Sequence, residues 1–276
     1  MHLESFGWLL PLAALLAAGL FAGFAAGMFG IGGGFVVVPA MLLVLPLLGG
    51  MKTEYAHVAV GTSAATIIVA SLRSVTAHAR RGAVDFQILR AWAPWLILGD
   101  AVGVILAGHV DGRGLLLIFA VGVLAMSVNF LVPRLSEIVI SEQMPSGLAM
   151  VAIVGPLGTF SSLLGIGGGT IAVTVMTWCS RTIHRAIATA SGIGVLIALP
   201  TAIGFAIIGY GHAGLPWGSI GYVNLPAAIA ISSMSILTAP LGVAAAHRLP
   251  AAPLKRVFGA YLVVISAFMF RNALKG

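Results

Sequence analysis

The chain has 276 residues, 60% of them hydrophobic and only 8% charged. A globular domain carries about 25% charged residues, so this composition excludes a water-soluble fold. With about 20 residues per membrane crossing, the length holds roughly ten crossings and no soluble catalytic domain. The net charge of +7 is distributed as short basic clusters between apolar runs, which excludes a nucleic-acid-binding domain and fits basic cytoplasmic loops. The single cysteine, Cys179, excludes a disulfide framework and a multi-cysteine metal site.

At the amino end, Met1 to Ser5 offers no basic run ahead of the apolar stretch that opens at Trp8, so the chain is expected to begin with a membrane helix and not a cleaved signal. Ten apolar segments follow, at 8–28, 31–49, 55–72, 87–107, 114–132, 146–165, 167–180, 185–209, 219–245 and 254–270. Polar joints separate them at Gly49 to Glu54, at Arg73 to Asp85, and at Pro133 to Pro145, which divides the chain near its middle. The expected organisation is an all-α polytopic membrane protein. It has an N-terminal five-helix repeat at 1–135, a linker at 136–145 and a C-terminal five-helix repeat at 146–276.

The evidence for a repeat is direct. Gly30-Ile31-Gly32-Gly33-Gly34 recurs 135 residues on as Gly165-Ile166-Gly167-Gly168-Gly169, and His57-Val58-Ala59-Val60-Gly61-Thr62 recurs 127 residues on as His184-Arg185-Ala186-Ile187-Ala188-Thr189. Equivalent joints carry opposite charge. Arg73, Arg80 and Arg81 follow the third segment, whereas Tyr210 to Gly218 after the eighth has no Lys, Arg, Asp or Glu. Asp111 and Arg113 follow the fourth, whereas Arg248, Lys255 and Arg256 follow the ninth. Loops of opposite basic bias lie on opposite sides of a membrane, so the halves read as an inverted repeat of the kind secondary transporters use. The basic carboxyl end, with Arg271 and Lys275, runs against this bias.

The two glycine stretches are the sharpest chemical signal. Three successive glycines weaken a helix by about 1 kcal/mol each, so a helix is expected to restart near Gly34 and near Gly169. Helix amino termini present unpaired N–H groups and a partial positive charge. Two of them at matching places in two halves form an anion site that needs no cationic side chain. Gly32, Gly33, Gly34, Gly167, Gly168 and Gly169 are therefore the candidate substrate-binding residues. The alternative is close helix packing, the reading adopted for Gly19, Gly23 and Gly27. A nucleotide loop is excluded, because no βαβ unit surrounds either motif; no cofactor is implied.

Thr62 and Ser63, with Thr189 and Ser191 in the repeat, either donate to a bound oxyanion or bond to carbonyls of their own helices. Asp100 is the only acid inside an apolar segment, and such a group is either a coupling carboxylate or a partly hydrated or capping Asp. His57 and His184 open helices at loop edges and read as solvated or capping side chains ahead of an entrance lining. There is no HExxH or paired-Asp motif and no metal site in the pattern. Two rival functions remain: a passive channel or facilitator for a small anion, and an intramembrane enzyme, for which the sequence shows no matched nucleophile and base.

Taken together, the chain resembles the sulfite exporter TauE/SafE family of membrane permeases. The resemblance rests on Gly27-Met28-Phe29-Gly30-Ile31-Gly32-Gly33-Gly34 with Pro39 following, on Leu164 to Gly169, on Arg80-Arg81-Gly82-Ala83-Val84-Asp85, and on Gly221-Tyr222-Val223-Asn224. It implies a multi-pass transporter of the bacterial inner membrane that moves sulfite, sulfonates or related organosulfur anions across the lipid bilayer, and no enzymatic activity. Thr174 stands where the repeat would place a second Pro39, so the two half-sites are not expected to be identical.

Overall fold

The structure, a computed structural model, describes residues 8–132, 139–248 and 251–275. The expectation for Met1 to Ser5 and part of the joint from Pro133 lie outside the described residues. The helices are α1 (Leu9–Phe29), α2 (Gly34–Leu48), α3 (Tyr55–Ala79), α4 (Phe86–Ala107), α5 (Gly112–Leu131), α6 (Gly147–Leu164), α7 (Gly169–Trp178), α8 (Ile183–Ile208), α9 (Leu225–Arg248) and α10 (Ala251–Lys275). In hydrocarbon every backbone group must be paired within its own segment, and helices do this. Eight of the described helices are long and apolar enough to span a bilayer, while α2 and α7 are shorter. The chain is thus an all-α polytopic membrane protein.

Several boundaries differ from expectation, α10 among them at both ends, and two of the differences have visible reasons. The α3 helix continues through the polar stretch after Leu72, because its polar side chains face α1. Ser74 Oγ donates to the Ala26 carbonyl (3.3 Å) and His78 Nε2 to the Gly27 carbonyl (3.2 Å). The ninth segment starts at Leu225 and not at 219, because Ser219–Ile220 (β1) and Val223–Asn224 (β2) form a small antiparallel hairpin first. Asn224 Oδ1 then accepts from the Ala227 N–H at 3.1 Å and caps α9.

Packing exchanges helices between the halves. α1 and α3 pack on α9, and α2 packs on both α1 and α3. In the other half α6 and α8 pack on α4, and α7 packs on α8. Swapping the two halves converts the α1–α9, α3–α9 and α2–α3 packing into α6–α4, α8–α4 and α7–α8, and the α3–α8 and α5–α10 contacts map onto themselves, whereas the α1–α2 packing has no comparable counterpart between α6 and α7 among the described residues. Each bundle therefore contains one helix from the opposite half. The close approach of α1 to α9 is made by Gly19, Gly23 and Gly27, where a side chain would strike the backbone at Ile231, Ser235 and Ala239. Small residues give membrane helices this proximity, and the packing expectation for these three glycines holds.

Candidate functional site

The two glycine motifs meet in the middle of the molecule. Each breaks its helix in the same way: Gly30, Gly32 and Gly33 have φ of 68°, 75° and 86°, and Gly165, Gly167 and Gly168 have 60°, 71° and 70°. That left-handed backbone favours glycine strongly. It explains the first, third and fourth positions of each motif and leaves the second free to be Ile. The fifth position has a different reason. A Cβ on Gly34 would lie 2.7 Å from Ile166 Cα and collide with the Gly165 carbonyl, and a Cβ on Gly169 would lie 2.8 Å from Ile31 Cα and collide with the Gly30 carbonyl. The motifs cross backbone to backbone, each helix start seated on the other's turn.

Helices α2 and α7 restart at Gly34 and Gly169, as expected. Among the described residues no acceptor lies in hydrogen-bond geometry for the N–H groups of Gly32, Gly33 and Gly34, or of Gly167, Gly168 and Gly169. All six glycines are buried, and no Lys or Arg is among the buried residues described. Ile67, the thirteenth of the 25 residues of α3, lies against both Gly32 and Gly167, so the crossing is level with the middle of a spanning helix. The arrangement offers two converging positive helix ends in a buried interior, closed over by Ile67.

The hydroxyls flanking the crossing are engaged elsewhere. Thr62 Oγ1 accepts from the Asn224 N–H and Thr189 Oγ1 from the Asp85 N–H, both at 2.9 Å. These are equivalent contacts, since Asp85 caps α4 through Gln87 and Ile88 N–H (3.2 Å each) as Asn224 caps α9. Ser63 Oγ donates to the Gly165 carbonyl at 2.8 Å and so ties α3 to the second motif. Ser191 Oγ bonds to Ala188 of its own helix (2.6 Å). Sequence reasoning missed Asp85 and Asn224 as matched partners. The signal was present: Gly82-Ala83-Val84-Asp85 and Gly221-Tyr222-Val223-Asn224 share a Gly-x-Val-Asp/Asn pattern. It also missed Ser71, whose buried hydroxyl has no partner among the described residues and lies beside Gly194, which in turn lies against Gly167.

Asp100 is fully buried inside one bundle. Its carboxyl accepts from the Thr201 hydroxyl on α8 through Oδ1, Oδ2 has no partner among the described residues, and its carbonyl accepts from Ser162 on α6 at 3.3 Å. His57 meets the capping half of its expectation, at the end of α4, and not the solvated half. It is buried, its Nε2 lies 3.1 Å from the Ala107 and Val110 carbonyls at the end of α4, and its ring stacks on Tyr222 (centroids 4.8 Å). Burial, with Glu54 alongside, holds the Tyr222 phenol above its ordinary range. His184 is exposed, as expected, and stacks on His247. Among the described residues no group of His, Cys, Asp and Glu is placed to hold a metal ion.

Residues 15–269 match the family model described as sulfite exporter TauE/SafE. A probable membrane transporter protein of Haemophilus influenzae is 32% identical over 92% of this chain and 96% of its own length. Proteins of the same description from Methanocaldococcus jannaschii and Xylella fastidiosa are 24% and 28% identical, over 96% and 92% of this chain and 97% and 93% of theirs. No solved structure matches the chain.

Proposed function

The chain belongs to the sulfite exporter TauE/SafE family, and from that premise we propose that it exports a small sulfur-containing anion, such as sulfite or an organosulfonate, across the bacterial inner membrane. One observation carries the reading. Two helix amino termini with unpartnered N–H groups converge where no buried Lys or Arg is present. An anion that has shed its water there has backbone dipoles as its available donors. Thr62 and Thr189 accept through their hydroxyls and have the protons left to offer, Ser63 and Ser191 lie beside them, and Ser71 adds a hydroxyl with no partner among the described residues.

The packing supports a specific alternating-access movement. The moving bodies are not the two sequence halves, because α4 and α9 have changed places between them. They are the bundle of α1, α2, α3 and α9 and the bundle of α4, α6, α7 and α8. The glycine crossing lies between these bundles, so a small rotation of one against the other opens it toward one face and then the other. The Arg80–Arg81 joint lies on the cytoplasmic side in this scheme. Asp100, inside the second bundle and one hydrogen bond from Ser162, is the candidate for a coupled proton.

The test is thermal stabilisation of the purified protein by sulfite, sulfate, thiosulfate, sulfonates and carboxylates, with Gly168→Val alongside. A sulfur oxyanion or sulfonate is expected to stabilise the wild type and not the variant. Stabilisation by carboxylates alone would overturn the sulfur-anion assignment.

A further inference from the structure

The half-helices α2 and α7 start alike but do not continue alike. On α7 the residues at successive turns on one face are Thr170, Thr174 and Thr177; the equivalent positions on α2 are Phe35, Pro39 and Leu42. The Thr stripe faces α5, where Asn129 Nδ2 donates to Thr174 Oγ1 at 2.8 Å. Thr174 in turn donates to the Thr170 carbonyl (3.0 Å) and Thr177 to the Thr174 carbonyl (2.9 Å). Thr170 breaks the chain of bonds. The residue is 4% exposed and its hydroxyl has no partner among the described residues, at the first turn of the helix that restarts at the crossing. A cavity of about 20 Å³ lies against these four polar residues and extends to Ile31 in the first motif and to Ile187 near the start of α8. That is room for about one water-sized group. Beyond Thr177 the chain leaves α7 through a loop carrying Arg181, with His184 and Arg185 exposed just after it.

An unpaired buried hydroxyl is unfavourable in a protein interior and more so in hydrocarbon. Packing does not require it, because the equivalent seam of the other half is filled with Phe, Pro and Leu. We propose that Asn129, Thr170, Thr174 and Thr177 line the path by which a small oxyanion travels between the Arg181 loop and the glycine crossing. Thr170 is the last hydroxyl that donates to it before the backbone N–H groups take over. The path belongs to one face of the membrane only, since the first half has no polar counterpart. This inference rests on the crossing being the anion site.

Single cysteines at Thr170, Thr174 and Phe35, each in a Cys179→Ala background, separate the possibilities. In sealed vesicles a membrane-impermeant methanethiosulfonate is expected to label Thr170→Cys and Thr174→Cys from the face bearing Arg181. Millimolar methanesulfonate or sulfate slows that labelling, and Phe35→Cys stays unlabelled from that face. Thr170→Val is expected to lower anion transport about tenfold, the weight of one hydrogen bond to a charged partner, and Thr170→Ser to restore it. Unlabelled Thr170→Cys and Thr174→Cys, or equal labelling of Phe35→Cys, overturns the path. If Thr170→Val binds and transports as the wild type while Gly168→Val fails to bind, the path is wrong and the crossing stands. If Gly168→Val also binds, the anion reading of the crossing falls with it.

Discussion

The helices α2 and α7 are the same object as far as Gly34 and Gly169 and different objects after that. Up to those residues each has three left-handed glycines, a buried Ile and a restart seated on the opposite motif. After them α2 runs for 15 residues and contains Pro39 and Pro46, whereas α7 runs for 10 and carries threonines. The shared part is dictated by reciprocal contact, because neither motif can change shape without displacing the other. The divergent part touches different neighbours, α7 facing Asn129 on α5 and α2 facing Tyr261, whose hydroxyl donates to the Phe35 carbonyl (3.2 Å). Constraint at the crossing and freedom beyond it let one backbone device be continued by two helices of different chemistry.

The largest effects are expected where the halves are identical. Gly33→Val and Gly168→Val place a β-branched residue at φ of 86° and 70°, which distorts the turn that presents the N–H groups. Both variants are expected to lose ligand binding and transport while eluting from detergent as the wild type does, read by calorimetry. Unaltered affinity in both would mean that the motifs only pack helices and that the anion site lies elsewhere.

Next comes a place where the halves differ in charge. Asp100 on α4 corresponds in the repeat to the region of Ala239 on α9, which has no carboxyl. Asp100→Asn keeps a group able to accept from Thr201 but cannot take up and release a proton. It is expected to abolish gradient-driven accumulation and leave equilibrium binding and exchange nearly intact, measured in proteoliposomes with an imposed proton gradient. Wild-type accumulation would return Asp100 to a structural role in holding α4 to α8.

Much of this architecture was legible in the residues. Apolar runs located the membrane helices, and the two glycine motifs located both helix restarts, because φ near +70° is a requirement that sequence displays openly. The exchange of α4 and α9 between bundles was not legible. It depends on which faces of long, uniformly apolar helices meet, and such helices carry little periodicity. The roles of Thr62 and Thr189 were half legible. Their pairing showed in the repeat, but the partners Asn224 and Asp85 lie 162 and 104 residues away in the chain. His57 misled because a histidine at a helix start looks solvated until the end of α4 is seen to cover it.

The threonine pair gives a third test, of stability. Thr62→Val and Thr189→Val keep the shape of the side chain and remove the acceptor, leaving the N–H of Asn224 or Asp85 unpaired at the start of α9 or α4. An unsatisfied buried donor costs about 1–3 kcal/mol. Each variant is expected to lose that much in a denaturant titration in mixed micelles, and Thr→Ser at either site very little. The Asp85 N–H is only partly buried, so Thr62→Val is expected to be the more damaging of the two. Equal, negligible losses would mean that the caps hold without the threonines and that these hydroxyls are free to serve the anion.

The smallest effects separate the two serines. Ser63 Oγ reaches across to the Gly165 carbonyl, in the turn that precedes α7. Removing it leaves that carbonyl without its side-chain donor and unties α3 from the second motif, a loss of about 0.5–1.5 kcal/mol for one neutral hydrogen bond. Ser191 Oγ donates to the Ala188 carbonyl one turn back in α8, a bond that adds little to a carbonyl already placed in a helix. Ser191→Ala is therefore expected to stay within about 0.5 kcal/mol of wild type, and Ser63→Ala to fall outside that range in the same titration. A larger loss in Ser191→Ala than in Ser63→Ala would mean that the crossing is held from the α8 side, and that the α3 tie to Gly165 is incidental.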